Sequence, residues 1–533
     1  MFMKALNYIS TLLLPASFLL IPSLANAQPF SEASSSLSGY TIADFHPNVN
    51  CEDLGGLDLQ DLVAVSSELI PAQNGIPSHC KVTGMLEPEI AFVVDLPQDW
   101  NGRFYMIGNG GHAGDRTDSL RQVAGRSEAL VHGFAAASTN TGHNADEEPG
   151  ASFVMSNPQK AIDYAYRAVH HTAVTAKAIA SLYYGKVVSY SYWNSCSNGG
   201  RQGMLEAQRF PDDFDGILAI APWVDQTGFT IGALWNQQAL DIAPVSAGKM
   251  AMLADQVMAK CDAIDGLTDG LIDDPRNCSI NVSEDAPLCP AGTDNDSCLT
   301  PAQADAIQKI YDGPYNTQGQ QIFPGFMPGS EAVTSGIRGE ASGWMNVIIP
   351  ASPDAASADF RLANDTMRYL AFQPPQPDYD YREFDFNTDP ELLDRWGRLA
   401  DAKDINLRQF RAGGGKLIMI YGWADTILQP MMGVNYYEQA VIANGENGTD
   451  FMRLFMVPGM AHCAGGNGPD QNDAITAVID WVEQGIAPQS IVAKKIVNGE
   501  VARSRPLCPY PQVARYDGSG SIDEAENFQC VAP

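Results

Sequence analysis

Positive charge is scarce in this sequence. Its 63 Asp and Glu residues outnumber 32 Lys and Arg residues, so the formal net charge is −31 over 533 residues. Nucleic acids and anionic membrane surfaces repel a chain of this charge, so neither is an expected partner. No stretch after the N-terminus reaches 18 consecutive apolar residues, so no membrane span is expected either. The composition is that of a soluble, exported globular protein.

Several sequence motifs are also missing. The glycine-rich stretch 108–114 has neither the spacing of a dinucleotide fingerprint nor a Gly-Lys-Ser/Thr sequence, so no organic cofactor is expected. The chain has no Cys-x-x-Cys pair, which weighs against thiol–disulfide exchange at Cys196. An aspartate-rich loop at 262–273 does not follow the spacing of an EF-hand.

The first 27 residues have the pattern of a signal peptide. Lys4 provides a basic start, Leu12–Leu14 and Phe18–Ile21 form an apolar core, and residues 25–27 form an Ala-Asn-Ala cleavage site. We expect cleavage after Ala27 and a secreted or periplasmic location. Disulfides persist in such compartments, and the even number of cysteines, ten, agrees with this location.

A serine lies between small residues where a predicted strand turns into a predicted helix. The preceding strand, Val187–Tyr190, is rich in β-branched and aromatic residues, and Arg201–Arg209 consists mostly of good helix formers. Residues 195–199 (Ser-Cys-Ser-Asn-Gly) resemble the Gly-x-Ser-x-Gly nucleophile elbow, with Ser195 replacing the first glycine. Ser197 is therefore a candidate nucleophile, and a surface turn of Gly and Ser is the alternative.

Strands and helices alternate along much of the chain, which predicts a mostly parallel, doubly wound α/β sheet. The alternation stops after the predicted strand at 216–221 and resumes at 416–421. We therefore divide the mature chain into a first core part (28–223), an inserted lid domain (224–403) and a second core part (404–533). An insertion just after the elbow is expected to cover it.

Two later loops are candidates to complete a catalytic triad with Ser197. Asp425 follows the predicted strand at 416–421, and His462 follows the predicted strand at 451–457. The order Ser, Asp, His is that of α/β-hydrolases. In this arrangement Ser197 attacks the substrate, His462 accepts and returns the proton, and Asp425 holds the imidazole.

The glycine-rich loop after the predicted strand Phe104–Ile107 is a candidate for one half of an oxyanion hole. In hydrolases of this kind, that loop supplies one N–H group and the residue after the nucleophile supplies the other. The candidate donors are Gly110 and Gly111 in the loop and Asn198 after the serine. The alternative, a plain turn, does not need so many glycines.

A cysteine lies next to each of two candidate catalytic residues. Cys196 precedes Ser197, and Cys463 follows His462 far along the chain. Adjacent Cα atoms are about 3.8 Å apart, and the Cα atoms of disulfide-bonded cysteines are roughly 5.5 Å apart. A Cys196–Cys463 disulfide would therefore hold Ser197 and His462 close together.

At these positions the sequence resembles the tannase/feruloyl esterase family, whose hallmark is Cys-Ser, then Asp, then His-Cys. The segments 190–222 and 505–530 match the family as well, and Ser195 departs from it, since the family usually has Gly there. The resemblance covers nearly the whole mature chain. It implies an α/β-hydrolase fold with a large lid, and a secreted serine esterase that cleaves esters of aromatic acids through an acyl-enzyme.

Proximity along the chain and the same resemblance imply further disulfides and a metal site. The implied disulfides are Cys51–Cys80, Cys261–Cys278, Cys289–Cys298 and Cys508–Cys530. From its residues alone, the aspartate-rich loop is either an acidic surface turn or a site for a hard cation. In the family this loop binds a structural calcium, remote from the serine. The implied ligands are Asp262, Asp265, Asp269 and the carbonyl groups of Leu267 and Leu271.

The substrate that the resemblance implies is a small aromatic ester, whose identity the residues leave open. Trp344 is a candidate wall for the aromatic ring, with packing inside the lid as the alternative. A terephthalate monoester would need a cation for its free carboxylate, and Arg338 and Arg361 are the lid candidates. The family favours a feruloyl esterase, with a tannase or a terephthalate monoester hydrolase as alternatives. A catalytically inactive hydrolase fold used for binding is the hypothesis of another class, and the oligomeric state is left open.

Overall fold

The structure, a computed structural model, describes residues 29–333, 343–352, 355–445 and 448–533. The predicted signal peptide and Arg338 lie outside the described residues. Among the residues described, no helix is both long enough and apolar enough to cross a membrane.

A mixed sheet of nine strands forms the centre of the molecule. The strands are β1 (Leu62–Ile70), β2 (His79–Leu86), β3 (Ile90–Pro97), β4 (Arg103–Met106), β5 (Ala135–Thr139), β6 (Tyr190–Cys196), β7 (Gly216–Ile220), β8 (Lys416–Gly422) and β9 (Met452–Val457). Their spatial order is β1-β2-β3-β5-β4-β6-β7-β8-β9. The pairs from β1 to β5 are antiparallel, and those from β5 to β9 are parallel. Every residue of β7 is buried, as expected for a strand covered on both faces.

Helices cover both faces of this sheet and also form much of the segment inserted between β7 and β8. They are α1 (Leu120–Val131), α2 (Gln159–Ile162), α3 (Ala168–Tyr184), α4 (Asn198–Arg209), α5 (Gln226–Ile242), α6 (Ala247–Cys261), α7 (Val282–Asp285), α8 (Pro301–Asp312), α9 (Ala358–Asp365), α10 (Asp394–Ala400), α11 (Arg408–Ala412), α12 (Pro430–Ala443) and α13 (Ala474–Gln484). The apolar side chains of α3, α4 and α12 form one hydrophobic cluster with the sheet, and those of α1 and α13 form another. This is the α/β-hydrolase fold that the sequence predicted.

The segment between β7 and β8 contains α5 to α11 and has a hydrophobic core of its own, in which Leu253, Ile307 and Trp344 are buried. Its first helix, α5, also places Phe229 and Leu234 in the main core beside the sheet. The division at residues 224 and 403 stays a prediction, and α5 belongs by its packing as much to the sheet as to the insertion.

Two hairpins follow the last helix, outside the central sheet. They pair β10 (Ile491–Val497) with β11 (Glu500–Leu507) and β12 (Val513–Tyr516) with β13 (Phe528–Val531).

All ten cysteines are paired as expected, which agrees with an oxidising compartment. The pairs are Cys51–Cys80, Cys196–Cys463, Cys261–Cys278, Cys289–Cys298 and Cys508–Cys530.

Candidate active site

Ser197 lies at the sharp turn between β6 and α4. Its φ of +64° and ψ of −127° fall in a region that residues with a Cβ rarely adopt. Hydrogen bonds hold the turn: the Ser197 N–H donates to the carbonyl of Ile220 at 2.9 Å, and the Ser197 carbonyl accepts from Trp223 N–H at 3.1 Å. The backbone geometry is that of a nucleophile elbow, with the serine half-buried.

Small residues are required around this turn. A Cβ on Gly199 would overlap the hydroxyl of Ser195, and a Cβ on Gly200 would lie 2.7 Å from the Cα of Pro222. Ser195 occupies the position of the first glycine of the motif and is buried. The elbow tolerates this serine because Gly199 leaves room for its hydroxyl.

Asp425 and His462 form a buried pair at the carboxyl ends of β8 and β9. His462 Nδ1 lies 2.8 Å from Asp425 Oδ2, and both residues are at most 2% exposed. The other carboxylate oxygen of Asp425 accepts N–H bonds from Ile427 at 2.8 Å and Leu428 at 2.9 Å. An ionised carboxylate only accepts hydrogen bonds, so a proton on Nδ1 makes this bond and leaves Nε2 available to a nucleophile.

The loops that carry this pair are joined by their backbones. Ala424 N–H donates to the carbonyl of Met460 at 3.1 Å, and Trp423 N–H donates to that of Val457 at 2.9 Å. A Cβ on Gly422 would overlap the Met460 carbonyl, so this close approach requires glycine.

The Cys196–Cys463 disulfide joins the His462 loop to the elbow. Its Cα atoms are 6.0 Å apart. A ring nitrogen of His462 and the two sulfur atoms all lie within 4.8 Å of one another. The three residues predicted as a triad are thus brought to the same edge of the sheet, with Ser197 adjacent to the disulfide.

The glycine-rich loop packs against the start of α4. Asn109 N–H donates to Gln202 Oε1 at 3.1 Å, and Gly110 N–H is directed at Asp115 Oδ2 at 3.4 Å, a long contact. Gly111 has a φ of +46°. Asn198 is the first residue of α4, so its N–H has no acceptor within the helix. Gly110 N–H thus has an acceptor nearby, whereas no hydrogen bond of Gly111 N–H is found within the described residues.

The insertion lies against this loop through α9. Leu362 on α9 is 3.6 Å from the position that a Cβ would take on Gly111, and Thr366 Oγ1 lies 3.2 Å from His112 Nε2. Burial lowers the pKa of His112 to about 3, so its ring is neutral. Arg361, next to Leu362 on the same helix, is exposed. The sequence had no signal for the contact of His112 with Thr366.

The indole of Trp344 lies inside the insertion. It is fully buried, its Nε1 donates to Ser330 Oγ at 2.9 Å, and its ring packs near Tyr311 and Phe326. These contacts favour the packing role over the substrate wall that we predicted for this residue.

The aspartate-rich loop is partly organised by its own backbone. Asp262 Oδ1 accepts the Gly270 N–H at 3.0 Å, and Asp269 pairs with Arg505 at 2.6 Å. Burial, together with the neighbouring carboxylates Asp265 and Asp269, raises the pKa of Asp273 to about 8. Carboxylate and carbonyl oxygens are the donors that calcium prefers, so the donor types fit this ion.

The loop also contacts the segment that leads to His462, and its predicted remoteness from Ser197 stays a prediction. The position of a Cβ on Gly459, three residues before His462, is 2.7 Å from Leu271 Cδ2. Among the described residues, the sets of three His, Cys, Asp or Glu side chains whose ligand atoms lie within 4.8 Å of one another do not include these aspartates.

A family model for tannase and feruloyl esterase matches residues 75–531. The chain belongs to the tannase and feruloyl esterase family. As a member of this family it is a carboxylic ester hydrolase, and the residues that we predicted from the family hallmark are those brought together at the elbow.

Relatives within this family are similar to this chain over most of their length. An uncharacterised esterase of Xanthomonas campestris pv. campestris is 34% identical, covering 90% of this chain and 91% of the relative. Mono(2-hydroxyethyl) terephthalate hydrolase of Piscinibacter sakaiensis is 32% identical, covering 86% and 85%. The crystal structure of feruloyl esterase B from Aspergillus oryzae superimposes with a TM-score of 0.76 at 25% identity, covering 90% of this chain and all of that one.

Proposed function

We propose that this esterase cleaves esters of aromatic carboxylic acids with Ser197, His462 and Asp425 as its catalytic triad. The observation that carries the proposal is the buried hydrogen bond of 2.8 Å between His462 and Asp425, in a loop joined by a disulfide to the residue before Ser197. A carboxylate buried beside an imidazole is the arrangement that makes histidine a general base for a serine.

The proposed reaction has two stages. Ser197 Oγ attacks the ester carbonyl carbon while His462 Nε2 accepts the hydroxyl proton, and the N–H groups of Asn198 and Gly111 stabilise the negative oxygen that forms. The C–O bond to the alcohol then breaks, and His462 returns the proton to the departing alcohol. Water, activated by His462, hydrolyses the acyl-enzyme to the free acid and restores Ser197.

A serine-directed fluorophosphonate tests the triad. We expect it to label the esterase once, at Ser197, and to abolish activity in proportion to labelling. Ser197→Ala should escape labelling and lose ester hydrolysis while its circular dichroism stays unchanged. Turnover retained by Ser197→Ala would refute the triad. A folded wild-type protein that hydrolyses none of the esters would support the inactive binding protein instead.

For the acyl group we propose a hydroxycinnamate such as ferulate. The support is the similarity to feruloyl esterase B from Aspergillus oryzae along the whole of that chain. Galloyl esters are the first alternative. A terephthalate monoester is the second alternative, since its free carboxylate needs a cation. The exposed Arg361 lies on α9, and the residue after it, Leu362, approaches Gly111.

Comparing kcat/KM for methyl ferulate, methyl gallate and mono(2-hydroxyethyl) terephthalate decides among these esters. A tenfold preference for one of them corresponds to about 1.4 kcal/mol in the transition state. Arg361→Ala adds a control for the third ester. It should leave the two neutral esters unaffected, and a selective loss on the terephthalate monoester would replace the feruloyl assignment.

Export and calcium binding complete the proposal. We propose that residues 1–27 direct export and are removed after Ala27, which N-terminal sequencing of the mature protein tests. For calcium we propose the side chains of Asp262, Asp265 and Asp269 and the carbonyls of Leu267 and Leu271. When bound, calcium would neutralise the carboxylates of the loop and stabilise it.

A further inference from the structure

A buried tyrosine connects the two halves of the proposed oxyanion hole. Tyr164 lies in a π-helical turn, Asp163–Arg167, between α2 and α3. Its hydroxyl is 2.9 Å from the carbonyl oxygen of Gly111 and 3.1 Å from Asn198 Oδ1, and it accepts the Gln226 amide N–H at 2.8 Å. The glycine-rich loop and the start of α4 therefore meet at one phenolic oxygen.

The Asn198 side chain is held from a second side. Arg201 Nε donates to Asn198 Oδ1 at 2.7 Å. The guanidinium of Arg201 also donates to the carbonyls of Ala165 at 3.1 Å and Ala400 at 2.8 Å. It lies 4.9 Å from the centre of the Tyr164 ring. Tyr164, Asn198 and Arg201 are all fully buried, so water does not compete for these bonds.

The glycine-rich loop needs such an anchor. Glycine has more backbone freedom than any other residue, and peptide units between glycines rotate easily. An oxyanion hole is effective only when its N–H groups already point to the place where the negative charge develops. A hydrogen bond to the Gly111 carbonyl fixes the Gly111–His112 peptide unit, which directly follows the unit that carries the proposed N–H donor of Gly111.

We propose that Tyr164 is a positioning residue of the oxyanion hole: its single hydroxyl proton is donated to the Gly111 carbonyl and orients the loop, while Arg201 holds the Asn198 side chain. This inference rests on the proposed function of Ser197 and its neighbours. Tyr164 acts on the transition state through other residues, since its hydroxyl is occupied by protein partners. Removing that hydroxyl should lower kcat and leave the binding of the ground-state substrate nearly unchanged.

Tyr164→Phe tests the inference, with Tyr184→Phe as the matched control. Tyr184 is also a buried tyrosine that donates to a carbonyl, that of Pro97 at 2.7 Å, at the end of β3. Rates are measured on whichever of the three model esters is turned over fastest, per active site titrated with the fluorophosphonate. Because the titration counts only competent sites, any misfolded fraction does not contribute.

We expect Tyr164→Phe to lower kcat on the order of tenfold and to change KM by less than about twofold, whereas Tyr184→Phe keeps the wild-type kcat. A missing oxyanion donor costs on the order of a hundredfold or more, so a misaligned donor should cost less. Phenylboronic acid, which forms a tetrahedral adduct with a catalytic serine, should bind more weakly by a factor similar to the loss in kcat.

Three results would overturn the inference: equal kcat for both variants, an effect on KM alone, or unchanged affinity for phenylboronic acid. Ser197→Ala, assayed in parallel, separates this inference from the proposed function. If that variant retains turnover, the triad itself is wrong. If it is inactive while Tyr164→Phe matches Tyr184→Phe, only the role of Tyr164 is refuted.

Discussion

The backbone of Ser197 has dihedral angles that serve the proposed reaction but are unfavourable for a residue with a Cβ. A non-glycine residue in such a region costs about 1–3 kcal/mol of stability. The surrounding hydrogen bonds to Ile220 and Trp223 maintain it. Strain of this kind is expected where a side chain must project above a sheet, and it makes the nucleophile position a measurable source of instability.

Ser197→Gly should therefore stabilise the protein while abolishing its activity. Glycine adopts a φ of +64° without a clash of Cβ, and part of this gain is offset by its entropy in the unfolded chain. We expect the glycine variant to be about 1 kcal/mol more stable than Ser197→Ala in urea unfolding. Both variants are inactive, so the comparison isolates the backbone, and a less stable glycine variant would argue against strain at this position.

A second residue that lowers the stability of the fold is Asp359, whose carboxyl group is buried in α9. Asp359 is 2% exposed, and it accepts hydrogen bonds from Ser357 Oγ at 2.8 Å and Phe360 N–H at 2.6 Å. Burial raises the pKa of Asp359 to about 7, whereas an unfolded aspartate has a pKa of about 3.9. Between these values the folded state binds the proton more tightly, so this group lowers stability as the pH rises from about 4 to about 7.

Asp359→Asn should remove this pH dependence, because its amide oxygen still accepts both hydrogen bonds. We expect the variant to be more stable than wild type by about 2–4 kcal/mol near pH 8, with the difference vanishing near pH 4. Urea unfolding at several pH values measures it. Asp378→Asn, at an exposed position, is the control and should show no such trend. A constant difference at every pH would contradict the role of ionisation.

At the scale of elements, the site depends on how the loops after β6, β8 and β9 are joined. Backbone hydrogen bonds connect the Asp425 loop to the His462 loop, and the Cys196–Cys463 disulfide connects the His462 loop to the elbow. The disulfide closes a loop of 267 residues along the sequence. Cross-links over loops of this length are expected to contribute about 5–6 kcal/mol in the chain-entropy model.

Replacing Cys196 and Cys463 together by alanine should reduce activity at least about tenfold while the far-ultraviolet circular dichroism changes little, because small displacements of a catalytic group are costly. Replacing Cys289 and Cys298 is the matched control, since that bridge spans only 9 residues within the insertion. It should leave kcat near the wild-type value. Equal losses in the two double variants would show that the catalytic bridge acts only on global stability.

At the scale of the whole molecule, the aspartate-rich loop contacts elements from distant parts of the chain. Arg505 of β11 binds Asp269, and Leu271 approaches Gly459 in the His462 loop. Arg276, three residues after the loop, lies 5.2 Å from the ring of Trp423, two residues before Asp425. A change in the conformation of this loop is therefore expected to displace the loops that carry Asp425 and His462, two members of the proposed triad.

Chelation should therefore lower both the melting temperature and kcat. A ligand that binds only the folded state stabilises it by mass action, by about 2.7 kcal/mol at a hundred times its Kd. Added calcium should restore both quantities. Magnesium should not, because it demands near-ideal octahedral geometry and gives up its bound water reluctantly. Asp262→Asn should weaken the response to calcium. Melting that EDTA leaves unchanged would refute the calcium site.

Some elements could not be predicted from the sequence because their patterns are weak. The edge strand β1 has a mostly exposed side-chain pattern, and β12 is short and partly exposed, so neither shows the alternation that marks a strand. The central strands β7 and β8 were predicted because their side chains are buried on both faces and read as apolar runs.

The sequence by itself determined that this protein is a carboxylic ester hydrolase and which residues are its candidate triad. Cys196-Ser197, Asp425 and His462-Cys463 are recognisable because reactive residue types must stand at strand ends in a given order. Only the tertiary structure decided which residues meet across the chain: Tyr164 with Gly111 and Asn198, Leu271 with Gly459, and Trp344 with the interior of the insertion. Such contacts depend on how separate elements pack, and the residue pattern around each of these partners carries no sign of the other.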